Sequence, residues 1–119
     1  MRLIQTKMSM SVSDKKGKKL VEKIVMLWEE VGLCYHKGAY RGKFEKETYV
    51  ISHFKSGYSI LRNMRGAEVA KQYMQKLHDE VLQDWTFTLQ EWDSEENKDI
   101  RSELKVLVDK LQQEIMEVV

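Results

Sequence analysis

The apolar positions of this chain recur mostly three and four residues apart. Leu20, Ile24, Leu27, Val31 and Cys34 follow one another at four, three, four and three, which is the stripe of one helix face. Val21 and Trp28 widen the stripe. Lys18, Lys19, Glu22, Lys23, Glu29 and Glu30 make the wet side. Ser13 offers a side-chain cap, and Asp14 suits the positive end of a helix dipole. The spacing therefore predicts a helix over 14–35. Before it, residues 1–12 show no clear period and read as a flexible arm or a short strand, with 13–119 as a single domain.

Gly32, Gly38 and Gly42 mark a loop. The next stretch reads two ways. Thr48 to Phe54 is rich in β-branched and aromatic residues. With Lys55-Ser56-Gly57 as a turn, it forms a short hairpin over 48–61. Val50, Phe54, Tyr58, Leu61 and Met64 also fit a helical period, with Glu45 and Glu47 in its first turn, and this reading places more apolar residues in register. After Gly66, Val69, Tyr73, Leu77, Val81, Trp85, Leu89 and Trp92 continue the helical spacing, with a kink or an end expected near Trp85. Asp93 and Glu96 have the spacing of a capping box. Beyond them Ile100, Leu104, Leu107, Leu111, Ile115 and Val118 define a final helix over 95–117. The expectation is an all-α fold, a small four-helix bundle, with the hairpin at 48–61 as the alternative. Leu27, Leu77 and Leu107 are expected in its core, with Trp28, Trp85 and Trp92.

Composition agrees with long helices in one respect: there is no proline in 119 residues. No apolar run is long enough to span a bilayer, and the first residues lack the apolar centre of a secretory signal. The single cysteine, Cys34, excludes an intramolecular disulfide. A cytoplasmic protein is expected, with no membrane contact.

Charge changes the picture more. The net charge of +1 conceals a division at Gly66. Residues 1–66 hold fourteen Lys or Arg against six Asp or Glu, and residues 67–119 hold six against thirteen. Either two oppositely charged halves pack together, or the basic half meets a polyanion. Within it, Lys37, Arg41, Lys43, Lys46, Lys55, Arg62 and Arg65 are interleaved with Tyr40, Phe44, Tyr49, Phe54 and Tyr58. Cations neutralise phosphates, and exposed rings stack on unpaired bases. Lys37, Tyr40, Arg41, Lys43, Phe44, Lys46, Lys55, Arg62 and Arg65 are the candidate nucleic-acid-binding residues, for single-stranded or structured DNA or RNA. Lys15, Lys16, Lys18, Lys19 and Lys23 extend that surface.

Other chemistry has less support. Cys34, His36, His53 and His78 have no metal-ligand spacing, and Cys34 lacks the local signatures of cysteine hydrolases. Gly38 to Lys43 lacks the full spacing of a phosphate-binding loop. The run Trp28-Glu29-Glu30-Val31-Gly32 resembles the first metal-binding motif of the MazG-like nucleotide pyrophosphatases. Leu33 stands where that motif has a further glutamate, so nothing is carried over from it. The expectation is a non-enzymatic protein without a cofactor that binds nucleic acid. The alternative is a helical protein–protein interaction module, such as an adaptor, an inhibitor or a homodimer formed through the C-terminal helix.

Overall fold

A computed structural model describes residues 1–38 and 48–117, with the backbone alone for 10–14. It corrects the all-α expectation. The chain is a mixed α/β protein, a five-stranded antiparallel sheet followed by three helices, not a four-helix bundle. The strands are β1 (Ile4–Asp14), β2 (Gly17–Trp28), β3 (Leu33–Lys37), β4 (Thr48–His53) and β5 (Ser59–Arg65), and each pairs with its neighbour in chain order. The helices are α1 (Ala67–Lys76), α2 (Leu89–Trp92) and α3 (Lys98–Glu117).

The helix expected over 14–35 is the end of β1, all of β2, a turn and most of β3. Glycine breaks it at both ends. Gly17 follows the Lys15-Lys16 turn with φ +114°, and Gly32 closes the turn after β2 with φ +87°. Both values lie where only glycine sits without strain. Between them β2 is covered on both faces at its base, where Val25, Leu27 and Trp28 are buried and Met26 half-buried. A strand covered on both sides has a continuous apolar run in place of an alternation, and a helical period can be threaded through such a run. Leu20 and Ile24, placed on the expected stripe, are 76% and 62% exposed.

Residues 4–14 take the strand form, paired with β2 from Ile4↔Leu27 to Asp14↔Gly17 without a shift of register. The hairpin alternative describes 48–61, and the helical reading of that stretch is overturned. Its Lys55-to-Gly57 turn joins β4 to β5, with Gly57 N–H donating to His53 C=O at 2.8 Å. The β-branched Thr48, Val50 and Ile51 account for the preference.

Beyond Gly66 the helical reading holds in part. Ala70, Tyr73, Met74 and Leu77 are buried at the spacing of one helix face. Leu82 N–H donates back five residues to Leu77 C=O, which closes α1 in a π turn. The chain then runs without regular secondary structure to Thr88. Trp85 N–H donates to Val31 C=O at 2.7 Å and lashes this segment to the turn after β2. The capping box belongs to Thr88 and Glu91 at the start of α2, not to Asp93 and Glu96. On α3 the buried positions are Leu104, Leu111 and Ile115, with Val108 half-buried, so the face is rotated from the expected one and Leu107 is 38% exposed. Leu27 and Leu77 are buried as expected.

Directly opposed residues share a face of an antiparallel sheet. Met26, Tyr35, Ile51 and Leu61 lie on the face covered by α1 and α3, in the main core with Trp28, Met74 and Leu77. Leu27 and Cys34 lie on the other face, in a smaller cluster with Met8 and Val25. Among the described residues no helix is long and apolar enough to cross a membrane.

Candidate nucleic-acid interface

Strand β2 pairs with β3 only through Met26–Trp28 opposite Leu33–Tyr35, whereas it pairs with β1 along its whole length. From Val25 back to Gly17 it belongs, among the described residues, to a two-stranded ribbon. At roughly 3.3 Å per residue those nine residues extend about 30 Å. The ribbon holds Lys7, Lys15, Lys16, Lys18, Lys19 and Lys23 against Asp14 and Glu22. Every residue from Lys15 to Glu22 is exposed. Opposed pairs put Lys19 and Lys23 on one face and Lys7 and Lys18 on the other, so cations ring the ribbon.

Where β2 leaves β3, a cleft of about 350 Å³ opens between Lys23, Val25, Tyr35, His36 and Lys37. Lys23 Nζ spans it, donating to Lys37 C=O at 2.6 Å, and partial burial lowers the pKa of its ammonium. Lys23 thus braces the base of the ribbon and is not presented to solvent with its neighbours. Beside it His36 Nδ1–H donates to Lys37 C=O at 3.1 Å, and Nε2 accepts from Ser52 Oγ at 2.8 Å. Burial holds the ring below its ordinary pKa, the Lys37 carbonyl opposes that shift, and the Lys23 charge adds to it. A neutral His36 therefore joins β3 to β4 at the ribbon's base.

The nine candidate residues separate in space. Lys37 and Arg65 are exposed at the end of β3 and of β5, the sheet end from which the ribbon leaves. Lys55 lies at the opposite end in the β4–β5 turn, the end that also bears the acidic turn residues Glu29 and Glu30. Arg62 sits midway along the β5 edge, beside α3. The structure does not bring Lys55 or Arg62 to the ribbon. Tyr40, Arg41, Lys43, Phe44 and Lys46 lie outside the described residues.

Lys15, Lys18 and Lys19 were legible as an extension of the surface, but their place on a ribbon was not. The signal was the four-residue turn Asp14-Lys15-Lys16-Gly17 between two stretches that contain β-branched residues. Cys34 is fully buried, and burial pushes its thiol up to about 12, so it stays protonated and unreactive at neutral pH. Comparison with protein-family models, with curated proteins and with solved structures found no match for this chain.

Proposed function

We propose that the protein binds nucleic acid through its basic end, the β1–β2 ribbon with Lys37 and Arg65 at its base. The observation that carries this reading is the run of exposed lysines, Lys15, Lys18 and Lys19, on a ribbon that has left the sheet. A two-stranded ribbon has the cross-section of a duplex major groove, and lysines on both its faces reach phosphates on either wall. The role is binding, not catalysis, and the setting is cytoplasmic.

The test is affinity for duplex and single-stranded DNA and RNA at two salt concentrations. Changing Lys15, Lys18 and Lys19 together to Ala should weaken duplex binding whatever its sequence. It should also lower the slope of log affinity against log salt by roughly 0.9 for each phosphate contact removed. A variant that keeps both affinity and slope rejects the ribbon as the contact surface. A second reading, a protein-interaction surface, is favoured by Leu20 and Ile24, large apolar side chains 76% and 62% exposed on the ribbon. Under it, Leu20→Ser with Ile24→Ser abolishes partner binding and leaves nucleic-acid affinity unchanged.

A further inference from the structure

The two edges of the sheet are treated differently. At the β5 edge, Arg62 N–H donates to Gln112 Oε1 at 2.8 Å, and Gln112 Nε2 donates to Arg62 C=O at 2.9 Å. One side-chain amide of α3 thus takes the place of a neighbouring strand. β5 is also irregular, with shifts of register against β4 and Asn63 at φ 64°. Irregular, covered edges do not recruit further strands.

Among the described residues, strand β1 has none of these protections. It is eleven residues long, holds its register throughout, and contains no proline and one lysine. Its hairpin closes on Asp14↔Gly17 around two residues, and that closing pair exchanges both of its hydrogen bonds. Bonded pairs alternate from there, so Ile4, Thr6, Met8, Met10, Val12 and Asp14 turn their backbone groups toward β2. Gln5, Lys7, Ser9, Ser11 and Ser13 turn theirs outward, and no described residue pairs with them.

We infer that β1 is a self-pairing edge, and that two copies of this chain join antiparallel along it to form one continuous ten-stranded sheet. With full overlap the two-fold axis passes through Ser9. Ser9 then faces Ser9, Lys7 faces Ser11 and Gln5 faces Ser13 of the second copy. Each outward N–H and C=O gains a partner, and no like charges stand opposite each other. A second copy is the occupant because the register is self-complementary. Assembly stops at two because the other edge is already occupied by Gln112. The paired groups are backbone, and Lys15, Lys18 and Lys19 lie on the turn and β2, outside the seam, so sedimentation tests this inference separately from nucleic-acid affinity.

The alternation supplies the test. Proline at Ser9 removes an outward N–H and leaves the ladder to β2 intact, whereas proline at Met8 removes a bond to Lys23. At roughly 100 µM, far above a micromolar dissociation constant, the parent should sediment at twice the 14.1 kDa chain mass. Ser9→Pro should sediment as a single chain with the parent's circular dichroism, and Met8→Pro should lose structure. Ser9→Lys, which sets like charges face to face, should weaken the dimer about tenfold or more, and most at low salt. A parent that is monomeric at that concentration overturns the inference. So does a Ser9→Pro protein that remains a dimer. Should Ser9→Pro fail to fold, Ser9→Lys decides, and an unchanged dimer constant overturns the proposal.

Discussion

Gly32 is where the helical half of the chain presses hardest on the sheet. A Cβ added there would meet Trp85 O at 2.6 Å, Trp85 C at 2.8 Å and Thr86 N at 3.1 Å. All three are backbone atoms, and none can swing aside. Trp85 N–H is tied to Val31 C=O at 2.7 Å, and Gly32 C=O accepts from Phe54 N–H at 3.0 Å. At φ +87° an alanine also incurs the left-handed penalty of about 1–2 kcal/mol. Forcing the segment outward adds about 1–3 kcal/mol of overpacking. Gly32→Ala should therefore cost about 2–5 kcal/mol, a large part of a typical 5–15 kcal/mol stability. Gly17 is the internal control, because its φ is +114° but a Cβ there meets nothing within 4 Å. Gly17→Ala should cost only the left-handed penalty, about 1–2 kcal/mol. For a chain of this length each kcal/mol moves Tm by about 4 °C, so the two variants should melt roughly 8 °C apart. Urea unfolding followed by circular dichroism gives the same comparison. Equal losses would mean that the Leu82–Thr88 segment does not bear on the turn, and the packing argument would fail.

Gln112→Ala removes both bonds to Arg62 at an exposed edge, where water replaces them in part, so unfolding should show a loss of about 1–2 kcal/mol. An unchanged midpoint would mean the bridge does not form. His36 and His53 are both held below the ordinary imidazole value of 6.5, first by burial; carbonyls oppose the shift, Lys37's at His36 and Trp85's and Phe87's at His53, and Lys23 and Lys55 add to it. His53 Nε2 is buried without a hydrogen-bond partner among the described residues. The unfolded chain therefore binds more protons on acidification, so stability is complete above pH 6.5 and falls as the pH drops below it. Melting temperatures between about pH 7.5 and 5 should show this decline, and His36→Gln should flatten it; a rise on acidification would reverse the assignment.

Helices could be read where one face alone is buried. On α3, Leu104, Leu111 and Ile115 are buried among charged neighbours, and the period survives in the letters. At the base of β2, burial of both faces removes the alternation that marks a strand, and three-and-four spacing emerges from a dense apolar run. Gly17 and Gly32 carried the correct signal, since two positive-φ positions fifteen residues apart bound a strand and its turn. For the site, the lysines were visible and their arrangement was not, because a ribbon depends on where β2 parts from β3. Exposed Leu20 and Ile24 have the same explanation: they are strand residues beyond the last β3 partner, where no helix lies over them.

The division of charge at Gly66 is also a structural boundary, since β5 ends at Arg65 and α1 begins at Ala67. Oppositely charged halves would be internal glue if the basic sheet paired with the acidic helices. Among the described residues it does not: Lys71–Glu68 and Lys76–Glu114 lie within the helical half, as does the His78–Asp79 contact, which is ionic only when the imidazole is protonated, and no ion pair crosses the boundary. Under the proposed function, the sheet's positive charge that the helices do not offset meets the phosphates of the nucleic acid. Salt should therefore act on binding and hardly on folding. Raising ionic strength from about 0.1 to 1 M shortens the screening length from about 10 to 3 Å. Solvent already screens these surface pairs, so they have little to lose, and Tm should move by only a few degrees. Affinity for duplex should fall by orders of magnitude over the same range. A protein that melts far lower in high salt while holding its ligand would show that the two charged halves hold each other, and that the ribbon's lysines serve the fold.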